Sequence, residues 1–157
     1  MEQYLKVLIQ SMNAKEECLN KLLEKTEAQT GILKEESMDW DSFDRLIDEK
    51  AELIEELDRL DDGFQKVFDR IRDELDGRRA EFKEEIGTLQ RQIRKVTEQS
   101  TSLMAAEQRN KDLVTSRAGK TRQQIREGRA NARAVTTYYN NMNQINTVDP
   151  QLMDKKK

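Results

Sequence analysis

Between Phe43 and Leu75 the apolar residues fall at Phe43, Ile47, Ile54, Leu57, Phe64, Phe68, Ile71 and Leu75. Steps of three, four and seven return side chains to one face of an α-helix, whereas a half-buried strand needs alternation by two. Leu46, Leu53, Leu60 and Val67 widen the stripe by one position, as a helix requires when it touches two neighbours rather than one. Asp, Glu, Lys and Arg fill nearly all the rest. Such a helix is ~50 Å long at 1.5 Å per residue, and it cannot hide this stripe alone. The rest of the chain must supply the cover.

Two further seams answer that need. The first is Leu5, Leu8, Met12, Lys15, Leu19, Leu22, Thr26, Gln29 and Leu33, with Lys15, Thr26 and Gln29 as polar interruptions. Its half beyond Leu23 is expected to be the looser one, and Gly31 costs about 1 kcal/mol there relative to alanine. The other seam is Phe82, Ile86, Leu89, Ile93, Val96, Ser100, Leu103, Glu107, Asn110 and Val114. Polar residues enter it from Ser100 onward, which predicts that the third helix outlasts its neighbours and leaves Leu103, Met104, Leu113 and Val114 poorly covered.

Local signals set the helix ends. Asp39 is the expected N-cap of the second helix, with Met38 and Phe43 at the two positions of a hydrophobic staple. Asp41 and Asp44 suit the positive end of the helix dipole. Trp40, the single tryptophan, is placed at the bundle end. Asp61-Asp62-Gly63 and Asp76-Gly77 are both turn signals. The apolar phase continues across Gly63, so the turn is assigned to Asp76-Gly77. Lys50 stands on the apolar stripe.

The expected fold is therefore all-α: an elongated antiparallel three-helix bundle or coiled coil with a long third helix and an extended C-terminal segment. The bundle takes residues 1–116, with helices at about 2–36, 40–75 and 78–116 or beyond. Residues 117–157 form an Arg-rich helical extension and a docking tail, where Arg122, Arg126, Arg129 and Arg133 share one helical stripe and Tyr138 and Tyr139 follow. Apolar residues make up 35% and charged residues 38% of the 157, a balance that suits thin helices with wide wet faces better than a globule.

Composition also removes chemistry. With no histidine and one cysteine, Cys18, the chain has no internal disulfide, no Cys/His zinc site and no His-based triad. Cys18 lies beside Leu19 on the first seam and reads as a small core residue. Gly119-Lys120-Thr121 lacks the earlier glycine of a phosphate loop, since Val114 stands there. No EF-hand ladder fits. No cofactor is expected, and the chain is not an enzyme. No apolar run approaches the ~20 residues of a membrane span, and the N-terminal stretch lacks a signal peptide's apolar core, so a cytoplasmic location is expected.

Charge is uneven. Residues 1–77 carry 11 basic and 22 acidic side chains, whereas residues 78–134 carry 14 and 7. Packing of the two halves against each other accounts for this, and a basic surface for an acidic partner is the sharper alternative. Nucleic-acid binding through Arg122–Arg133 is disfavoured by a pI of about 5.3 and by the lack of interleaved aromatics. A purely structural coiled coil is the third class, and a homodimer could cover the exposed seams.

The run from Phe43 to Leu60, FDRLIDEKAELIEELDRL, resembles the second helix of FlgN-type flagellar export chaperones, with its Glu-Lys, paired aliphatics and Leu-Asp step. Gln99 to Asn110, QSTSLMAAEQRN, resembles their third helix. The resemblance covers roughly Leu5 to Val114. It implies a cytoplasmic antiparallel bundle that binds the C-terminal helical region of hook-associated proteins, prevents premature assembly and delivers them to the flagellar type III export apparatus. On that reading Val96, Leu103, Met104, Leu113 and Val114 are the candidate client-binding residues. Tyr138, Tyr139 and the Arg122, Arg126, Arg129 and Arg133 stripe are the candidates for docking at the export gate. The tail beyond Arg117 and the placement of Lys50 on the apolar stripe depart from the family pattern.

Overall fold

The structure, a computed structural model, describes residues 1–117. They form three helices, α1 (Glu2–Lys34), α2 (Trp40–Gly77) and α3 (Lys83–Arg117), and no strand. Long-range hydrogen bonds give their directions. Ser11 Oγ donates to the Leu60 carbonyl (3.3 Å) and Cys18 Sγ to that of Leu53 (3.2 Å), so α1 and α2 run antiparallel. Gln92 Nε2 donates to the Ile9 carbonyl and Gln99 Nε2 to that of Glu16, so α3 runs parallel to α1.

These pairs also show how the seams lock. On α1, Ser11 and Cys18 stand two helical turns apart and meet Leu60 and Leu53, which have the same spacing. Both α1 side chains are short, which lets the two backbones approach. On the other flank Gln92 and Gln99 each reach a carbonyl and an Asn side chain of α1, Asn13 and Asn20, both at 2.7 Å. α1 is therefore the central strut, packed on both sides. No Cα of α2 comes within 8 Å of a Cα of α3; these two meet only through side chains.

Leu5, Leu8, Leu22, Leu57, Leu89 and Leu103 are fully shielded and fix the main core. Lys15, an interruption in the first seam, is itself buried and reaches Asp61 on α2 at 2.8 Å. Burial holds the Asp61 carboxyl above its ordinary range, and neighbouring Asp58 and Asp62 add to that, against the pull of Lys15. α2 runs straight through Gly63 to Gly77. α3 starts at Lys83, five residues later than the sequence suggests. Arg78 spends its guanidinium on Glu74 and Glu81, both at 2.8 Å, and stacks over the Phe82 ring, which ties residues 78–82 into a turn.

Cys18 is 5% exposed, and burial first, then the Glu56 carboxylate, pushes its thiol up to about 11. Thiolate is the reactive form. At pH 8 the folded chain should alkylate about 100-fold more slowly than the urea-unfolded chain from ionisation alone, because two pH units separate the folded and ordinary values. The folded rate should still climb past pH 9, and iodoacetamide kinetics read both. Equal rates in the two states would contradict the burial.

Candidate functional site at the far end of the bundle

The far end gathers the C-terminal parts of α1 and α3 and the N-terminal part of α2. Its outer layer is a small apolar cluster of Leu33, Phe43 and Val114, flanked by half-buried Ile32, Met38, Trp40, Ile47 and Leu113. α2 enters this cluster correctly aimed because Asp39 caps it: its carboxylate accepts the Ser42 N–H (3.1 Å) and hydroxyl (2.7 Å). Those bonds hold the Asp39 carboxyl below its ordinary range. Trp40 packs edge-on against Phe43 with ring centroids 5.6 Å apart, and its indole N–H has no hydrogen-bond partner among the described residues. Arg117 closes the end: its guanidinium donates to the carbonyls of Leu33 (3.0 Å), Glu35 and Glu36. A cation over the last carbonyls of α1 suits the negative end of that helix dipole.

Beneath this cluster lies a buried polar layer. Lys50 of α2 pairs with Glu107 of α3, and both are almost wholly shielded, at 3% and 1% side-chain exposure. Gln29 of α1 accepts from Lys50 Nζ at 2.7 Å and donates to the Phe43 carbonyl at 3.3 Å. The Thr26 hydroxyl donates to Glu107 at 2.8 Å. One turn outward Thr30 donates to Asn110 Oδ1 at 2.5 Å, and Asn110 Nδ2 donates to the Thr26 carbonyl at 2.9 Å. All three helices thus contribute to one network. Burial pulls the Lys50 ammonium below its ordinary range, although Glu107 works against this. Buried ions keep their charge only when paired and hydrogen-bonded, and this network supplies both.

That layer corrects the sequence reading. Ser100, Glu107 and Asn110 do not mark a helix running past its neighbours. They face inward, and Glu107 and Asn110 meet polar side chains on α1 and α2. Up to Arg117, the last described residue, α3 still has α1 beside it: the Arg117 guanidinium donates to the Leu33 carbonyl. Of the candidate client-binding residues, Val96 and Leu103 belong to the main core and Val114 to the outer cluster, all buried. Only Met104 and Leu113 are half-exposed. Leu103 and Val114 are therefore not poorly covered. Arg122, Arg126, Arg129, Arg133, Tyr138 and Tyr139 lie outside the described residues.

The Lys50–Glu107 pair is what sequence reasoning missed. Both residues could be seen to occupy seam positions, which was the available signal; that they face each other could not. Among the described residues no group of three or more Cys, Asp or Glu side chains converges as metal ligands would, and no helix is long and apolar enough to cross a membrane.

The model of one protein family, described as FlgN protein, matches residues 1–146. No curated protein and no solved structure gives a significant match.

Proposed function

The chain belongs to the FlgN family of flagellar export chaperones, and we propose that it captures the C-terminal helical region of hook-associated proteins. Capture takes place in the cytoplasm, keeps the client from assembling early, and precedes delivery to the flagellar type III export apparatus. The family match across residues 1–146 carries this reading. The far end of the bundle supports it, because half-buried Leu113 stands there beside Ile32, Met38, Trp40 and Ile47, while half-buried Met104 packs against the main core. An amphipathic client helix would lay its apolar face on such an edge. Val114 joins the contact only when the edge loosens, whereas Val96 and Leu103 lie in the main core beyond the polar layer. Tyr138, Tyr139 and the Arg122, Arg126, Arg129 and Arg133 stripe are proposed to dock at the export gate.

The test is co-purification with the C-terminal segment of a hook-associated protein expressed beside the full chain. The untouched chain should retain the segment as a discrete complex. Leu113→Asp should weaken retention at least about tenfold, the scale of losing an anchor worth more than 1 kcal/mol, with helical circular dichroism unchanged. Undiminished retention would remove the far-end site. Failure of the unmodified chain to retain any hook-associated segment, or recovery only as a homodimer, would remove the client reading.

A further inference from the structure

We propose that the bundle is built as two cooperative units in series, and that the far end opens and closes on its own at the Lys50–Glu107 layer while the main core stays shut. The inference does not depend on the identity of any client.

Three observations carry it. The first is the split of the interior. Seventeen buried side chains form one continuous cluster from Leu5 to Leu103, whereas Leu33, Phe43 and Val114 form a separate cluster of three. Regions with few buried apolar contacts open at a lower free energy than the rest. The second is what separates them. Lys50, Glu107, Gln29, Thr26, Thr30 and Asn110 span all three helices at one level. Opening an apolar layer exposes oil to water, but opening this layer rehydrates two ions whose burial is costly. The layer therefore opposes opening weakly. The main core, which begins beyond it with Leu22, Ile54 and Leu103, opposes further opening strongly, so separation stops there.

The third observation is Gly31, near the end of α1. A Cβ at this position would meet nothing within 4 Å. No packing need explains a residue that weakens the helix; Gly63 in α2 is equally open, but among the described glycines Gly31 alone lies on the far-end side of the layer. Since α2 and α3 touch only through side chains, release of α1 from this end would free all three segments together. Phe43, Leu33 and Val114 would then face solvent, and Trp40 reports the change because it is the single tryptophan.

Amide hydrogen exchange on the full chain tests this. Residues 40–50 and 107–117 should exchange at least about 100-fold faster than residues 68–75 and 86–93, with a step at the polar layer. The near end lies as close to helix termini as the far end, so ordinary fraying does not give that asymmetry. Gly31→Ala should slow exchange only beyond the layer, and Gly63→Ala, within α2 of the main unit, should leave the far end unchanged. Replacing the pair together, Lys50→Met with Glu107→Leu, should bring far-end protection at least tenfold closer to that of the main core. In each case acrylamide quenching of Trp40 should follow the far-end amides. Protection that is uniform, or that fades smoothly from both ends, overturns the proposal. So does a step that survives the paired replacement unchanged.

Discussion

Lys50→Met alone should destabilise the bundle by about 3–5 kcal/mol, the usual cost of stranding a buried charge by removing its partner. Glu107, at 1% exposure, would lose its cation and keep the Thr26 hydroxyl as its one side-chain partner among the described residues. Whole domains are stable by only ~5–15 kcal/mol, so the urea midpoint should fall far. Adding Glu107→Leu should restore the whole loss and add somewhat to it, because replacing a buried ion pair by apolar residues of similar size is commonly neutral to stabilising. The gain stays limited, since Gln29 Oε1 loses Lys50 as a donor. If Lys50→Met and the paired replacement unfold at the same urea concentration, the pair is not the coupled unit its geometry indicates.

The same pair has a signature on the alkaline side. Burial lowers the Lys50 value in the folded chain below the unfolded one. The unfolded chain then holds more protons in that window, so stability rises with pH as Lys50 loses its proton, up to the ordinary lysine value near ~10.4. Cys18 acts in the opposite sense: its folded value of about 11 lies above the ordinary 9.0, so its contribution falls from pH 9 to 11. Urea titrations in a Cys18→Ala background isolate the Lys50 effect. They should show the rise, and Lys50→Met should abolish it.

Leu57→Ala should cost about 2–5 kcal/mol. Leu57 has no exposed surface and sits within the continuous cluster on which α1, α2 and α3 all depend. Truncation there leaves a cavity that three long helices cannot close without moving along their whole length. The loss should appear in the global urea transition and in the exchange of every slow amide. Leu33→Ala removes the same atoms from an equally buried site, yet its effect should concentrate in far-end exchange and leave the global transition much less altered. Similar shifts of the global transition for both variants would show that the interior behaves as one unit.

Much of this molecule can be read from spacing alone. Every residue of the α3 seam from Phe82 to Val114, polar members included, faces the interior. The α1 seam from Leu5 to Leu33 does so too, Lys15, Thr26 and Gln29 among them. The Asp39 cap and the α2 run through Gly63 follow from local chemistry and are present. The candidate site fared differently. Glu107 and Asn110 are polar residues on an inward face, and in one dimension that pattern has two meanings: a helix that has lost its neighbours, or a helix that has met polar ones. Nothing near them in the chain decides between these. Their partners are 57 and 80 residues away, Lys50 on α2 and Thr30 on α1.

The chain's own periodicity determined that there are three amphipathic rods and which face of each turns inward, because side-chain direction on a helix is a local property of 3.6 residues per turn. Its caps and turn residues determined most of the helix ends for the same reason. Only the tertiary structure decided that α1 is the shared strut, that the polar stretch of α3 still packs beside it, and that an ion pair lies between a large and a small core. Those are facts of register between helices. Register depends on which side chains stand opposite one another, and a single strand of sequence holds each partner without holding the pairing.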